Sequence, residues 1–339
     1  MKALMDVNVV KPITVSRIFN VCLAHISYSL SQFFKKSIAM GLPYVLTIEP
    51  TNYCNLRCPQ CITGSGMMKR KACTLDLELY KSILDEIGDK VWYIVLYNQG
   101  EPFLHPQIIE MIKYAKSKNI YVITSTNGHY FNNQSFCEEL IKSGIDKIII
   151  SLDGADADTY SSYRHGGDFE KVTSGIKRII GTRTLLDSKT PEIIIQCLVM
   201  KQNEHQISEM KSLAKQLMVD KILLKTFQVL DTKKAGNYIP VSENLRRYET
   251  ENGKVQLKNF KNRSCVRLWT SLTILSDGSV TPCCFDKNGD HVFGHIGKKK
   301  SVKSIWRSSI YEQFRSRNIR NRKSISICRN CSEGQKIYI

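Results

Sequence analysis

Residues 51–61 have the sequence TNYCNLRCPQC, in which Cys54, Cys58 and Cys61 lie at the spacing C-x3-C-x2-C. Three thiolates on one loop can ligate three irons of a [4Fe–4S] cluster and leave the fourth iron without a protein ligand. The alternative is a structural zinc site, but such a site needs four protein ligands, and no fourth cysteine or histidine is close in the sequence. The loop is therefore predicted to hold an iron–sulfur cluster with one position open for chemistry.

Short β-rich runs alternate with helical runs from Pro43 onward. The predicted strands are Tyr44–Ile48, Trp92–Leu96, Ile120–Thr124, Lys147–Leu152, Ile193–Val199 and Lys221–Phe227. The predicted helices between them are approximately Leu75–Ile87, Pro106–Ser117, Gln134–Ser143, Phe169–Leu186 and Glu204–Leu217. This alternation predicts parallel strands joined by right-handed crossovers, either in a barrel or in an open α/β sheet.

Polar motifs follow these strands, at the point where each strand ends. They are the cysteine loop, Gly100-Glu101-Pro102, Thr126-Asn127-Gly128, Ser151 with Asp153, and Met200 with Lys201. In parallel α/β folds the carboxyl ends of the strands carry the active site. Six such units predict a partial (β/α)6 barrel that is open on one side.

A second group of cysteines lies near the end of the chain: Cys265, Cys283, Cys284, Cys328 and Cys331. Leu272–Leu275 and Val280–Pro282 predict a β-hairpin around an Asp-Gly turn, and a helix is predicted near Ser304–Arg320. The hairpin would bring distant cysteines to one edge, where the closing C-x2-C pair supplies two more thiolates. Four thiolates make a closed site that suits a [4Fe–4S] cluster or, on spacing alone, zinc.

Two adjacent cysteines of one strand point in opposite directions, so Cys283 and Cys284 are not both expected to be ligands. The spacing from Cys265 favours Cys283, with Cys284 as the alternative. The cysteines that stand alone are predicted to be small buried apolar residues and not ligands; they are Cys22, Cys73, Cys137 and Cys197.

The cysteine loop after a first strand resembles the motif of the radical S-adenosylmethionine (SAM) superfamily. In that family the amino and carboxylate groups of SAM chelate the open iron, and an electron from the reduced cluster breaks the sulfonium bond. The resemblance implies that SAM and a SAM-binding [4Fe–4S] cluster are cofactors, with a one-electron reductant such as flavodoxin or ferredoxin as a partner. It also implies a 5′-deoxyadenosyl radical that abstracts a substrate hydrogen atom.

Further motifs carry the same resemblance. Gln99-Gly100-Glu101-Pro102 is similar to the family's Gly-Gly-Glu-Pro motif, which implies that it holds the methionine amino group. Ser151 and Arg164 match positions that bind the SAM carboxylate and ribose in close relatives, and an arginine can bind a carboxylate through two parallel hydrogen bonds. Gln60 stands where the family often has an aromatic residue. The backbone that borders the adenine by the same analogy is that of Leu198, Val199 and Met200.

The hairpin with Asp-Gly and Pro-Cys-Cys resembles the SPASM and Twitch extensions of radical SAM enzymes. One full cysteine set favours the single-cluster Twitch form, which implies one auxiliary [4Fe–4S] cluster. The predicted fold is α/β, a partial (β/α)6 radical SAM barrel with a small C-terminal SPASM/Twitch-like α+β domain. The predicted domains are an N-terminal amphipathic helical extension (1–42), the barrel (43–228), a linker with local helix (229–262) and the auxiliary-cluster domain (263–339).

The chain of 339 residues has a formal net charge of +18, which suits nucleic acid, an anionic membrane or a phosphorylated substrate and selects none of them. Residues 15–38 have apolar side chains at helical spacing and predict an amphipathic helix packed on the body of the protein. Peripheral membrane contact through this helix is the alternative. Polar residues interrupt the segment, so no transmembrane span is predicted. Clustered cysteines suit metal ligation in a reducing compartment, and we expect a cytoplasmic location.

The leading functional prediction is a radical SAM oxidoreductase that oxidises an alcohol of a sugar-like or cyclitol substrate. The auxiliary cluster would accept an electron, and the positive charge would suit a phosphorylated or nucleotide-linked substrate. The alternative is side-chain modification of a peptide or protein. An alternative of another class is a noncatalytic iron–sulfur or zinc protein that binds nucleic acid, which no RNA-binding or helix-turn-helix pattern supports. Asp286, just after the cysteine pair, is a candidate proton acceptor.

Overall fold

The computed structural model describes residues 11–251, 254–258, 260, 262–297, 299–333, 335 and 337–339. Residues 1–10 of the predicted extension, residues 252, 253, 259 and 261 of the predicted linker, and residues 298, 334 and 336 lie outside the described residues. The chain divides into two compact units. Unit 1 is formed by Met1–Tyr53, Lys69–Ile123 and Asn262–Cys331, and unit 2 by Cys54–Met68, Thr124–Lys261 and Ser332–Ile339.

Strands and helices alternate along the central part of the chain, as predicted. The strands are β1 (Val45–Ile48), β2 (Tyr93–Val95), β3 (Tyr121–Thr126), β4 (Lys147–Ser151), β5 (Glu192–Val199) and β6 (Lys221–Thr226). The helices between them are α2 (Leu77–Ile87), α3 (Ile108–Ser117), α4 (Gln134–Lys142), α5 (Ala157–Ser161), α6 (Phe169–Leu185) and α7 (Ile207–Gln216), and α1 (Val15–Phe34) precedes them. All six predicted strands are present, with ends shifted by at most two residues.

In unit 1 the strands β1, β2 and the first residues of β3 are parallel neighbours. Three strands from the C-terminal region extend this sheet: β9 (Ser271–Ile274) lies parallel to β1, β10 (Ser279–Thr281) is antiparallel to β9, and β11 (Gly294–His295) is antiparallel to β10. The antiparallel pair β9–β10 confirms the predicted hairpin. The carboxyl ends of β1, β2 and β9 therefore lie at the same edge of this sheet.

In unit 2 the strands β4, β5 and β6 are parallel neighbours in that order. Their interior is dominated by isoleucine, and Ile148, Ile150, Ile193 and Ile195 are all fully buried. Runs of β-branched residues are typical of parallel strands that are covered on both faces. The prediction of parallel strands with helical crossovers is confirmed.

The segment predicted as a linker contains more structure than local helix. It has 3-10 turns at Thr232–Asn237 and Glu243–Leu245, and also an antiparallel hairpin of β7 (Tyr248–Glu251) and β8 (Lys254–Leu257). Tyr248 and Leu257 are buried in an apolar cluster of unit 2. The segment is predicted to be a linker because most of its residues are polar, and these two buried residues attach it to the rest of unit 2.

The C-terminal region of unit 1 ends in short helices. The predicted helix near Ser304–Arg320 is two helices, α9 (Val302–Trp306) and α10 (Ser309–Arg320), after the short α8 (Arg267–Thr270). The break falls at Ser308, whose hydroxyl accepts the Tyr311 N–H and caps α10. The Arg315 guanidinium lies 4.2 Å from the Trp306 ring and 3.9 Å from the Tyr311 ring, which fixes both helices around one buried cation.

Helix α1 packs on the rest of unit 1 through its polar side, which reverses the expected orientation. Its buried residues are Arg17, Asn20, Ala24, Ser27 and Ser31, whereas apolar side chains including Val15, Phe19 and Phe33 are exposed. The apolar spacing correctly predicted the helix, but the side that faces the protein is chosen by hydrogen bonds. Among the described residues, no helix has the length and apolar character needed to cross a membrane.

Candidate active site

The cysteine loop belongs to unit 2 and is fastened by backbone contacts. The Arg57 N–H donates to the His165 carbonyl at 2.8 Å, and the Cys61 N–H donates to the Cys58 carbonyl at 3.1 Å. Gly64 allows the loop to close on itself, since a Cβ there would lie 2.5 Å from the Cys58 nitrogen. Cys58 is buried in an apolar cluster, and Cys54 and Cys61 pack against that cluster.

An ion pair lies beside the loop. Arg164 Nε lies 2.6 Å from Asp153 Oδ2, and Arg164 Nη1 lies 3.9 Å from Cys58 Sγ. Asp153 is fully buried, so its charge is compensated by the guanidinium in a nearly water-free place. Burial raises the pKa of the Cys58 thiol, and the adjacent guanidinium partly opposes this shift. Arg164 thus lies against one of the three cysteines of the loop, where its positive charge favours the thiolate.

The residues predicted to border the adenine are also held in unit 2. The Leu198 N–H donates to Asp153 Oδ1 at 2.7 Å, and the Met200 N–H donates to Asn203 Oδ1 at 2.7 Å. Asn203 Nδ2 returns hydrogen bonds to the Leu198 and Asp153 carbonyls at 2.9 Å each. These contacts fix Leu198, Val199 and Met200 next to the ion pair. Ser151, the last residue of β4, pairs in register with Gln196 of β5.

The Gln99-Gly100-Glu101-Pro102 motif lies in unit 1, in the loop that follows β2. The Glu101 N–H donates to the Tyr53 carbonyl at 2.6 Å, so the motif is tied to the residue that precedes Cys54 in the chain. Gly100 has a φ of +74°, and a Cβ there would lie 2.4 Å from the Thr51 carbonyl oxygen. Only glycine fits this position.

A buried carboxylate that the sequence analysis missed supports the motif. Glu49, at the end of β1, forms a bidentate ion pair with Arg70 at 2.7 and 2.9 Å. It also accepts the Gln99 N–H at 3.2 Å and the Ser276 hydroxyl at 2.9 Å. One carboxylate therefore joins the ends of β1, β2 and β9. The signal available in the sequence was a lone glutamate directly after an apolar strand.

The Gln60 side chain forms hydrogen bonds with the backbone of the segment that follows β6. Its Oε1 accepts the Leu230 N–H at 2.8 Å and the Asp231 N–H at 2.9 Å, and the side chain is buried. This amide holds the segment that follows β6. Gln60 stands where the family often has an aromatic residue, and here its amide binds the backbone of Leu230 and Asp231.

The second cysteine group lines one cavity in unit 1. Four cysteines contribute to its wall: Cys265, Cys283, Cys328 and Cys331. Cys284 is not part of this wall, which favours Cys283 as the ligand, although the assignment stays a prediction. The cavity wall is completed by apolar side chains, which are Leu268, Pro282, Phe314 and Ile327, and by Asn318 and Arg322.

Two polar side chains contact these thiols. Asn318 Nδ2 lies 3.8 Å from Cys328 Sγ, and the positive charge of Arg322 acts on Cys328 and Cys331. Burial, together with the neighbouring cysteines, raises the pKa of Cys283 well above its ordinary value. An empty site would hold protonated thiols, so metal binding there releases protons.

Asp286 lies directly after the cysteine pair and is fully buried. Its carboxylate accepts the Asp290 N–H at 2.8 Å and the His291 N–H at 2.9 Å, and burial raises its pKa. These hydrogen bonds stabilise the turn after the cysteines. The assignment of Asp286 as a proton acceptor stays a prediction.

The solitary cysteines differ in exposure. Cys137 and Cys197 are buried, as predicted, and Cys73 is half-buried with its Sγ 3.4 Å from the Ser276 carbonyl. Cys22 is exposed, so the prediction of a buried residue is wrong there. It lies on the exposed apolar side of α1, which faces away from the rest of unit 1. Among the described residues, no three His, Cys, Asp or Glu side chains are placed to hold a single metal ion.

Two family models match the chain. The radical SAM superfamily model matches residues 48–213, and the model of the iron–sulfur cluster-binding SPASM domain matches residues 265–332. The chain belongs to the radical SAM superfamily. Its predicted fold, a radical SAM α/β core with a C-terminal SPASM domain, is confirmed, and whether the single-cluster Twitch form applies stays a prediction.

Radical SAM proteins of several kinds are similar to this chain. The tungsten-containing aldehyde ferredoxin oxidoreductase cofactor-modifying protein of Pyrococcus furiosus is 24% identical over 300 residues, which cover 80% of this chain and 82% of that protein. The mycofactocin maturase of Mycolicibacterium smegmatis is 31% identical over 175 residues, which cover 52% of this chain and 42% of the maturase. The chain thus spans less than half the length of this maturase.

Solved radical SAM structures share the fold. Streptococcus suis SuiB bound to SAM has a TM-score of 0.63 at 17% identity, over 92% of this chain and 76% of that chain. SuiB has also been solved with the precursor peptide SuiA, with a TM-score of 0.61 at 16% identity, over 86% of this chain and 70% of that chain. At such identities the likeness shows the fold.

The cofactors of this radical SAM protein are SAM, its [4Fe–4S] cluster and an auxiliary [4Fe–4S] cluster, as predicted. The residues present fit these groups. The loop of Cys54, Cys58 and Cys61 offers three thiols and keeps a cation beside Cys58, and the C-terminal cavity has four thiols in its wall.

Proposed function

We propose that the enzyme oxidises an alcohol carbon of a sugar-like or cyclitol substrate, with the auxiliary site receiving the electron that the substrate loses. The cavity lined by Cys265, Cys283, Cys328 and Cys331 carries this proposal. Four thiols in one wall can occupy all four irons of a cubane, so no iron would remain for substrate. A closed cluster suits electron transfer, whereas an open one suits binding.

When bound, SAM and the two clusters would supply a 5′-deoxyadenosyl radical for removal of a hydrogen atom from the alcohol carbon, and an acceptor for the electron lost when the carbonyl forms. The hydroxyl proton leaves at the same stage, and Asp286 is the candidate acceptor. Cys54, Cys58 and Cys61 would hold the first cluster, and Gln99-Gly100-Glu101-Pro102 would bind the methionine amino group. Asp153 orients Arg164 through the contact at 2.6 Å, which leaves the guanidinium facing Cys58.

The substrate class rests on charge. The net charge of +18 favours an anionic substrate, such as a phosphorylated or nucleotide-linked sugar. A peptide substrate is the second candidate, and the likeness to SuiB, which was solved with a precursor peptide, favours it. A flavodoxin or ferredoxin would supply the electron for SAM cleavage.

The test is anaerobic reconstitution with iron, sulfide, dithionite and SAM, followed by measurement of 5′-deoxyadenosine. We expect about eight irons per chain in the wild type and about four in the Cys54→Ala/Cys58→Ala/Cys61→Ala variant. Cys283→Ala should lose auxiliary iron, with Cys284→Ala as the matched control. Zinc in either site, or cluster-loaded protein that releases no 5′-deoxyadenosine, would contradict the proposal.

The substrate class is tested by how strongly a compound increases 5′-deoxyadenosine formation above the background without substrate. Nucleotide-linked sugars should increase it and yield a product lighter by two hydrogens. If peptides increase it and sugars do not, the second candidate replaces the first.

A further inference from the structure

Helix α1 carries a row of exposed apolar side chains, which we name the α1 stripe. Its members recur at helical spacing and are Val15, Ile18, Phe19, Cys22, Ile26 and Phe33. Val15 is 85% exposed, Phe19 64% and Phe33 79%. A helix of 20 residues is about 30 Å long. An apolar row of this length in water points to an interaction surface.

The direction of the stripe is fixed by the opposite side of the helix. Asn20 accepts the Leu42 N–H at 2.8 Å and donates to the Leu42 carbonyl at 3.0 Å. Ser27 accepts the Met40 N–H at 3.0 Å, and Ser31 accepts the Ile38 N–H at 2.9 Å. Rotating α1 to bury its apolar side would break all of these buried and part-buried hydrogen bonds, and a buried polar group without a partner is costly.

Arg17 fixes the start of α1 in the same way. Its guanidinium donates to the Gly88 carbonyl at 3.0 Å and to the Lys118 carbonyl at 2.9 Å. These carbonyls lie at the C-terminal ends of α2 and α3, where a positive charge is favourable. Hydrogen bonds along the opposite side of α1 therefore keep the α1 stripe exposed to solvent.

The charges around the stripe are basic. Lys11 precedes the helix, Lys35 and Lys36 follow it, and all three are exposed. The helix itself contains no acidic residue. Asp89, the acidic side chain that acts on Arg17, is paired with Lys90 at 2.8 Å.

We propose that the α1 stripe binds the interface of an anionic lipid bilayer, with α1 lying in the plane of the membrane. The apolar side chains would enter the acyl boundary, and the lysines at both ends would meet the headgroups. A second copy of the chain fits less well. A two-fold contact through α1 would bring Lys35 and Lys36 of one copy against Lys11 or the same lysines of the other, and like charges repel.

The test is flotation of the reconstituted full chain with vesicles of phosphatidylcholine, with and without phosphatidylglycerol. We expect co-flotation with the anionic vesicles, weakened by salt and by Lys35→Glu/Lys36→Glu. The Phe19→Ser/Phe33→Ser variant should reduce the bound fraction at least about tenfold, because both rings lose their apolar burial in the lipid. The matched control, Leu185→Ser/Met218→Ser, changes residues that are 82% and 69% exposed outside α1, and should bind normally.

Iron content and 5′-deoxyadenosine release should be the same in all variants, which shows that they are folded. The proposal is overturned if the wild-type protein does not float with anionic vesicles. It is also overturned if the Phe19→Ser/Phe33→Ser variant floats with them to the same extent as the wild type. It is also overturned if light scattering finds a dimer that the stripe variant dissociates and no vesicle binding occurs, because the stripe is then a contact between copies.

Discussion

Asn318 connects two of the cysteines that line the auxiliary cavity. Its Nδ2 lies 3.8 Å from Cys328 Sγ, and its Oδ1 accepts the Cys265 N–H at 2.8 Å. Hydrogen bonds to cluster sulfurs and nearby positive charge influence the reduction potential of an iron–sulfur cluster. Asn318 and Arg322, which both line this cavity, would therefore favour the reduced state of a cluster bound there, as the proposed role of electron acceptor requires.

We expect Asn318→Asp to lower the reduction potential of the auxiliary cluster, because the new side chain keeps the acceptor for Cys265 but replaces the amide donor with a negative charge. The measurement is a redox titration followed by electron paramagnetic resonance in the Cys54→Ala/Cys58→Ala/Cys61→Ala background. Asn321→Asp adds the same charge at an exposed residue nearby. Equal shifts in both variants would show that the amide contact is unimportant.

The buried Asp153–Arg164 pair predicts a large loss of stability when one partner is removed. Asp153→Ala should lower the free energy of unfolding by about 3 kcal/mol, because it leaves a nearly buried guanidinium without its carboxylate. Denaturant unfolding measures this change. The combined Asp153→Ala/Arg164→Met variant should recover part of it, and Glu78→Ala, which breaks an exposed pair with Lys81, should have no measurable effect. A loss in the combined variant equal to the sum of the single losses would contradict the coupling.

Gly100 and Gly66 offer a matched pair of glycine substitutions. Their φ angles are +74° and +73°, but a Cβ at Gly100 would meet the Thr51 carbonyl at 2.4 Å, whereas nothing lies within 4 Å of a Cβ at Gly66. Gly66→Ala should cost about 1 kcal/mol of stability from backbone strain alone. Gly100→Ala should cost more and should weaken SAM binding, measured by calorimetry on cluster-loaded protein. If the two variants behave alike, close packing at Gly100 is not what the motif requires.

Short-range sequence patterns predict the elements that they encode directly. The six strands, the C-x3-C-x2-C loop and the β9–β10 hairpin each follow from spacing over a few residues, and the structure confirms the strands and the hairpin. The orientation of α1 could not be predicted this way. Periodicity shows that a helix has two sides, but which side faces the protein depends on partners such as Leu42 and Gly88, which are distant in sequence.

The buried polar supports were missed for the same reason. Glu49 reaches Arg70, Gln99 and Ser276, and Gln60 reaches Leu230, so each contact exists only after the chain has folded. A single glutamate or glutamine carries no local pattern that would distinguish it from a surface residue. The motif residues resemble those of a known family and can be recognised in the sequence. The buried residues that hold them in place, such as Glu49 and Gln60, are recognised only from their contacts in the folded structure.

Two histidines, the buried His105 and the half-buried His129, make the stability of the protein depend on pH. The His105 ring accepts the Gln107 N–H at 3.0 Å and faces the Leu75 carbonyl at 2.8 Å, and the His129 ring accepts the Asp168 N–H at 2.9 Å. Each ring needs one unprotonated nitrogen for these contacts, and burial lowers the pKa of both histidines. Below about pH 6.5 the unfolded chain binds protons that the folded chain does not, so stability falls as the pH drops and levels off below the lowered pKa. Urea unfolding at a series of pH values should show this slope, reduced in His105→Asn and unchanged in His25→Asn, which alters an exposed histidine. A slope that His105→Asn leaves intact would show that His105 does not cause it.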